Sequence, residues 1–542
     1  MASPLNKLYH NPKTRVLALF STLSLTILLP LLPRGHIMTL DLAFAPTIPS
    51  PQTVTSSYLF RLLLHGANKL LPSDVIEKLL FFSILLLASY GMYALVQSLK
   101  TRALPSAAYF SALLYTVNPY TYSRFMAGQY SVLLGYALLP FFAQAFLRTI
   151  RNPTTRNALK LGGWATLIGI VSIHTLGLIA VLLVLGGALV TKQYQRQPGR
   201  LKQHYKATAL GIGVMLLASS YWLVPLLAGR GTTAQTIQSF GATDTTAFAT
   251  AGGNLIGKVG NIIRLQGFWA EDRGLFLLPQ DHMPAWGLLM CALWVLIFIG
   301  SRTLWRSGNR FMVLFFGLGA AVALVLALGI PSLPGYREPH KFVGLIALFY
   351  ALCAGQGMAA LAHKYQKRTE LAGTSVIACC VVLLVALTST MFWGFSGQLS
   401  PRHYPEDWAT INQQLSQDKD KFQTVFLPWH LYMHFTFAGR IIANPAQEFF
   451  DKPVLVSNDP EFGGVARTSQ DSLKDRLSYD ILPQASTRQD FGSQLAGLRI
   501  KYVVFAKESD APDYDYLDHQ KDLKLIYENQ SLKLYRNETW KD

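Results

Sequence analysis

"LGGWATLIGIVSIHTLGLIAVLLVLGGALVT", residues 161–191, decides how the chain is threaded. As one long helix it would be a single membrane crossing. The next loop, with Lys192, Arg196, Arg200, Lys202 and Lys206, would then face away from the other basic loops. Split at His174, the run becomes two short helices, 161–175 and 176–191, and that loop returns to the basic side. About 15 residues at 1.5 Å each reach only ~22 Å, short for a bilayer core. The charge bias nevertheless favours the split.

The same logic extends along the chain. Of 542 residues, 51% are hydrophobic and 14% charged, where a soluble domain carries about 25% charged residues. With the split, the expected spans are 14–33, 77–98, 103–118, 130–147, 161–175, 176–191, 207–228, 285–301, 311–330, 342–362 and 373–395. With the N-terminus inside, cytoplasmic segments hold 20 Lys/Arg and one acid, Glu370; the outer segments before residue 400 hold 11 Lys/Arg and eight acids. The formal charge of +18 is therefore a positive-inside signature and gives no reason to expect a nucleic-acid partner. The four cysteines lie in apolar runs, and the first run, with no small-residue cleavage site after it, is read as a retained span.

The fold class expected is a polytopic α-helical membrane protein of about eleven transmembrane helices, N-terminus in and C-terminus out. Residues 1–399 form the transmembrane domain, with outer loops 34–76, 119–129, 229–284 and 331–341. Residues 400–542 follow as a small exocytoplasmic α/β domain. In it "FQTVFLP", "KYVVFAK", "LKLIYEN" and "LKLYRN" read as strands, and "EDWATINQQLSQ" and "SQDSLKDRLSY" as helices.

Charged residues gather on the outer face. "GYREPHKF", residues 335–342, opens a helix returning into the membrane. Pro339 suits its first turn, and a helix N-terminus attracts anions. Arg337 and Lys341 add two cations there, a seat for a phosphate, and Glu338 would orient one of them or meet a substrate hydroxyl. The plainer alternative is cations snorkelling to lipid headgroups. Asp41, in "PRGHIMTLDLAFAP" with His36, lies among apolar residues where desolvation raises carboxylate basicity. It is the preferred base among the outer acids, the others being Asp74, Glu77, Asp244, Glu271, Asp272, Asp281 and Glu338.

"NPYTYSRFMAGQY", residues 118–130, sets Tyr120, Tyr122 and Arg124 in a mixture suited to sugar rings or a lipid phosphate. His174 stands at the outer apex of the split hairpin, and Trp269, Glu271 and Asp272 form a polar cluster in "QGFWAEDRG". His430 and His434 have metal-ligand spacing, but no carboxylate completes a site and their surroundings read as strand. There is no Walker loop, no Rossmann glycine fingerprint and no nucleophile elbow. Nucleotide-dependent chemistry is not expected.

Together these segments resemble the GT-C superfamily of multispanning glycosyltransferases, which use polyprenyl-phosphate-linked sugars. The run "NPYTYSRFMAGQYSVLLGYALLP" looks most like the N-terminal membrane region of mycobacterial α-(1→3)-arabinofuranosyltransferase. "LPWHLY", "NPAQEFF" and "RIKYVVFAKES" look like the outer domains of YfhO-like membrane proteins. The resemblance implies an inverting transfer in which Asp41 deprotonates the acceptor and Arg337, Lys341 and Arg124 bind the donor phosphate. His174, Glu338, His36, Tyr120, Tyr122, Trp269, Glu271 and Asp272 would contact substrate. The implied partners are a polyprenyl-phosphate-linked sugar donor, a glycan or lipid acceptor and membrane lipids. The first loop has one acid, not the paired acids of many relatives, so a divalent metal (Mg, Mn or Ca) stays optional. The chain is also shorter than that enzyme, and its donor sugar is not carried over.

Two alternatives stand beside this reading: a transporter or flippase of lipid-linked saccharides, and a non-catalytic cell-envelope assembly protein. Transporters commonly carry internal repeats and midplane charges. Here no repeat is found and the charges sit at the rims, which favours chemistry at one face.

Overall fold

Apolar runs of this length bury their backbone polar groups most cheaply as helices, because every N–H and C=O pairs within the segment. The computed structural model describes residues 12–99, 103–239, 246–329, 336–459 and 472–541. Asp244 and residues 331–335, expected in outer loops, lie outside them. Among the described residues, eight helices are long and apolar enough to cross a membrane: Lys13–Leu31, Ser73–Ser98, Tyr130–Arg151, Ile173–Tyr194, Trp286–Arg306, Arg310–Ala327, Pro339–Gln366 and Glu370–Leu387. The pair Pro198–Ala218 and Ser220–Leu227, bent by 85°, is a ninth if it counts as one span. The chain is a multi-pass membrane protein.

The decisive run does divide. Thr155–Val171 and Ile173–Tyr194 are separate helices, parted at Ser172, whose extended backbone (φ −155°, ψ 101°) no helix can contain. The break falls two residues before His174. The run expected to span at 103–118 is the 11-residue helix Ser106–Thr116, roughly 17 Å long and short of a bilayer. It stops at Val117, and Asn118 starts a new helix, Pro119–Met126, through a capping box with Thr121. In the middle of the bundle, Trp286–Arg306 and Val343–Gln366 cross at reciprocal glycines. A Cβ on Gly300 would lie 1.8 Å from the Cys353 carbonyl oxygen, and one on Gly357 would lie 1.9 Å from that of Leu296. Small residues are what let such backbones meet.

The C-terminal part forms a five-stranded sheet in the order Val454–Leu455, Gln423–Leu427, Ile500–Ala506, Leu532–Asn537, Leu523–Glu528. The first three strands are parallel and the last two join antiparallel. Alternation splits its core cleanly: Phe426, Val504 and Leu534 face the cluster around Trp408, while Val425, Val503 and Tyr535 face the cluster around Leu495. All four strands read from the sequence are present, as are both helices, although the second begins only at Ser472 among the described residues.

This sheet is tied into the membrane half. A two-stranded ribbon, Tyr432–Phe435 against Arg440–Ala443, reaches the loop that follows the first span. There Ala443 N–H donates to the Leu40 carbonyl at 2.7 Å. His36–Ile37 pairs with Pro401–Arg402. From the other side, Asp41 N–H donates to the Ala127 carbonyl at 3.0 Å. Next to it Gly128 turns with φ +71°, and a Cβ there would come within 2.3 Å of Leu42 Cβ and 2.7 Å of the Thr39 carbonyl. Gly128→Ala is therefore expected to lose about 3 kcal/mol, combining left-handed strain with overpacking. A thermal-unfolding midpoint in detergent unchanged by the substitution would contradict this packing.

Candidate active site

Asp41 sits at the tip of a loop held by backbone on two sides, and its carboxylate is held by side chains on two more. Tyr432, from the C-terminal ribbon, donates its hydroxyl to Asp41 Oδ1 at 2.6 Å. Gln129 Nε2 donates to Oδ2 at 3.0 Å. Asp41 keeps exposed surface, yet the protein around it desolvates the carboxyl and raises it above its ordinary value, working against these two hydrogen bonds. That is the direction a general base needs.

A cavity of about 290 Å³ opens beside it, lined by Asp41, Gln129, His174, Arg337, Glu338, Lys341 and Tyr432, with Trp269 and Phe248 at its side. Arg337 stacks over the Phe248 ring, 4.1 Å from its centre. Lys341 Nζ lies 3.3 Å from Glu338 Oε2. The helix carrying Lys341 begins as a tight turn with Pro339 in first position, as the sequence indicates. Two cations and one base thus share one chamber.

Beneath the chamber is a fully buried layer. Arg124 pairs with Glu338 and donates to His340 Nδ1 at 2.7 Å. Since a guanidinium only donates, His340 Nδ1 accepts, and its Nε2–H is left to donate to the Gln266 carbonyl at 2.9 Å. Gln129 bridges the layers, accepting from Arg124 at 2.5 Å and donating to Glu338 at 3.2 Å. Burial opposes the charge on Glu338, but Arg124 and then Lys341 outweigh it and hold the carboxyl well below its ordinary range. Glu338 is therefore an anion that fixes Lys341 from below. Removing either partner of such a pair costs roughly 3–5 kcal/mol.

Several of the residues expected to contact substrate lie buried within the protein scaffold. Arg124 is 0% exposed, sandwiched against Tyr120 and Phe268. Tyr120 is buried and donates to the Lys341 carbonyl at 3.3 Å. Tyr122 is buried and donates to the Leu277 carbonyl at 2.5 Å. His36 is buried against Ser73 at 2.9 Å, and burial lowers its ring to about 4. Glu271 is buried, accepts from Ser123 at 2.6 Å and from Gly267 N–H at 2.7 Å, and burial lifts it to about 7. In each case the apolar surroundings that made the residue conspicuous are what bury it. Asp272 is exposed but lines a different cavity, beyond Trp269. Trp269 lines both cavities and packs 6.2 Å from the Tyr432 ring. His174, Glu338, Arg337, Lys341 and Asp41 do meet in one chamber.

Gln129 and Tyr432 are the residues a reading of the sequence misses. Gln129 lies in the quoted "MAGQY", next to the glycine turn, which was its only signal. Tyr432 lies between the two histidines examined for metal. His430 instead pairs with Asp510 at 2.6 Å, and His434 stands in the ribbon strand. Among the described residues no group of three or more His, Cys, Asp or Glu side chains is arranged for a metal ion.

Residues 76–424 match the model of a family described as "Family of unknown function (DUF6541)". Among curated proteins none matches. Arabinofuranosyltransferase AftD from Mycobacteria superposes with a TM-score of 0.66 at 16% identity, over 96% of this chain and 40% of that one. ArnT from Cupriavidus metallidurans, bound to undecaprenyl phosphate, superposes with a TM-score of 0.48 at 12% identity, over 96% of both chains. The AftD likeness shows the fold, the one implied by the resemblance to multispanning glycosyltransferases. This chain spans 40% of the AftD chain it matches.

Proposed function

The chain belongs to the family described as "Family of unknown function (DUF6541)", and for it we propose inverting transfer of a sugar from a polyprenyl-phosphate donor to an acceptor hydroxyl at the outer membrane face. The observation that carries this reading is the single chamber in which Asp41 faces Arg337 and Lys341. The donor phosphate sits against the two cations, with the sugar between them and Asp41. Asp41 takes the proton of the acceptor hydroxyl as that oxygen attacks the anomeric carbon. The carbon–oxygen bond to phosphate breaks, and polyprenyl phosphate leaves with the electron pair. Arg337 and Lys341 stabilise the charge that develops on it. Attack opposite the leaving group inverts the anomeric centre, and no step runs through a metal.

On this reading eleven spans put the C-terminal domain outside, with the helices Ser106–Thr116 and Thr155–Val171 crossing as shortened elements. That arrangement lets the outer domain supply Tyr432 to an outer-face site. The domain boundary then falls near residue 400.

Tyr432 stabilises the charged form of Asp41. Tyr432→Phe deletes that hydrogen bond, so the carboxyl rises further and ionises only at higher pH. Because the base acts when ionised, the acid limb of the kcat/KM profile is expected to move up by roughly one pH unit. An unmoved limb would separate Tyr432 from the base.

The transfer itself is tested by offering the purified protein a panel of polyprenyl-phosphate sugars with cell-envelope acceptors and assigning the product anomer by NMR. Transfer with inversion is expected. Retention, or no transfer from any donor, would overturn the proposal.

A further inference from the structure

A second cavity, of about 380 Å³, adjoins the first. Both share Asp41, Tyr130, Ser131 and His174 as lining, so the carboxylate stands in the wall between them. The second cavity holds neither Arg337 nor Lys341. It lies between the first outer loop, with its helix Tyr58–Asn68, and the helix ends at Tyr130 and Ser172, and the C-terminal domain adds Glu448. Its most telling groups are Phe44, Phe60 and Tyr130, with Arg61 and Glu448. Phe44 and Tyr130 rings lie 5.4 Å apart, and Phe60 and Tyr130 6.4 Å apart, forming one apolar wall. Arg61 donates to Glu448 at 2.7 and 3.0 Å, joining the loop helix to the outer domain.

We propose that this second chamber binds a sugar unit of the acceptor, and hence that the acceptor is a glycan. The proposal rests on the transfer reading above, because the nucleophile must reach Asp41 from a side that the donor phosphate does not occupy. Two cations, Arg337 and Lys341, against one acid, Glu338, beside Asp41 assign the phosphate to the first chamber; the one cation of the second, Arg61, is matched by Glu448, which leaves that chamber for the nucleophile.

The lining argues for carbohydrate. A sugar offers an apolar ring face to an aromatic wall and hydroxyls at its rim. Each hydroxyl both donates and accepts, so the ring can satisfy the Arg61 guanidinium and the Glu448 carboxylate together. Ser56, Ser57 and Ser131 add further hydroxyl partners. An acyl chain in the same space would withdraw water from Arg61 and Glu448 and return no hydrogen bond, which is costly. The volume suits a small ligand rather than a protein surface. The helix carrying Arg61 turns Leu59, Leu62 and Leu63 outward, 41%, 42% and 66% exposed. An amphipathic helix of that kind lies along a membrane surface, which places the chamber where an envelope glycan passes the bilayer.

The test is saturation-transfer NMR on the purified, full-length protein. Its probes are neutral oligosaccharides released by mild acid from the envelope of the source organism, alongside a tryptic peptide mixture from the same envelope. Saturation of the oligosaccharides is expected, falling about tenfold in Arg61→Ala plus Glu448→Ala and unchanged in Arg337→Ala plus Lys341→Ala. Both changed side chains of the first variant are more than two-fifths exposed, 42% and 47%, so its fold is expected to hold. A second variant, Ser57→Trp, places an indole in the chamber lining while keeping both Arg61 and Glu448, and should also abolish the signal.

Oligosaccharide signal indifferent to both chamber variants would overturn the proposal, as would saturation of the peptides alone. Binding is read without donor, so the two readings fail separately. Chamber-dependent sugar binding with no transfer from any donor would remove the enzymatic reading and leave the chamber standing.

Discussion

Asp41→Asn is expected to reduce sugar transfer by about 10²–10⁴-fold, the usual contribution of a positioned general base. The substitution keeps the shape and the hydrogen bond from Tyr432, because the amide oxygen still accepts. It removes the capacity to take a proton, at the cost of the hydrogen bond that Gln129 donates to the second carboxylate oxygen. Donor binding should stay within about threefold of the parent, since the phosphate seat is formed by other residues. The loop is held by backbone bonds from Asp41 N–H to Ala127 and from Ala443 N–H to Leu40, so the fold should hold as well. Transfer within tenfold of the parent would remove Asp41 from the base role and return attention to His174, the imidazole in the wall between the chambers.

Arg337→Ala with Lys341→Ala carries the second large effect. Loss of one preorganised donor to a developing oxyanion costs about 10²–10³-fold. Both cations line one chamber, and their joint removal is expected to lower kcat/KM by at least 10³-fold. The split between kcat and KM is informative. Charge on the leaving phosphate grows toward the transition state, so kcat should fall as well as affinity. Glu338 would then lose one cation partner and keep Arg124, which limits the structural damage. A rise in KM with kcat unchanged would mean that the cations hold only the ground state.

The sequence shows the fold where chemistry is periodic or cumulative. The positive-inside count called for a break in residues 161–191, and the split read at His174 falls two residues from the Ser172 at which the helices part. The strands of the C-terminal sheet were legible because alternation of Val425 with Phe426, and of Val503 with Val504, is local. Legibility stopped at contacts between distant segments. Tyr432 reaches Asp41 across 391 residues through a ribbon whose docking no local pattern encodes.

Arg124 shows the complementary error. A lone arginine among tyrosines looks the same in sequence whether it greets a phosphate or is buried against Glu338. Only the packing of Phe268 and Tyr120 around it decides. The "YREPHKF" segment was informative for the opposite reason. Its proline, cations and acid are neighbours in sequence, so their geometry is fixed locally.

The central claim is that Arg337 and Lys341 seat the phosphate of a polyprenyl-linked sugar beside Asp41. Native mass spectrometry of the protein purified from its own membranes tests it most directly, run beside Arg337→Ala plus Lys341→Ala. The expected spectrum shows a bound polyprenyl-phosphate sugar, or the spent polyprenyl phosphate, that disappears in the double variant. Bulk phospholipid alone, retained equally by both proteins, would contradict the phosphate seat.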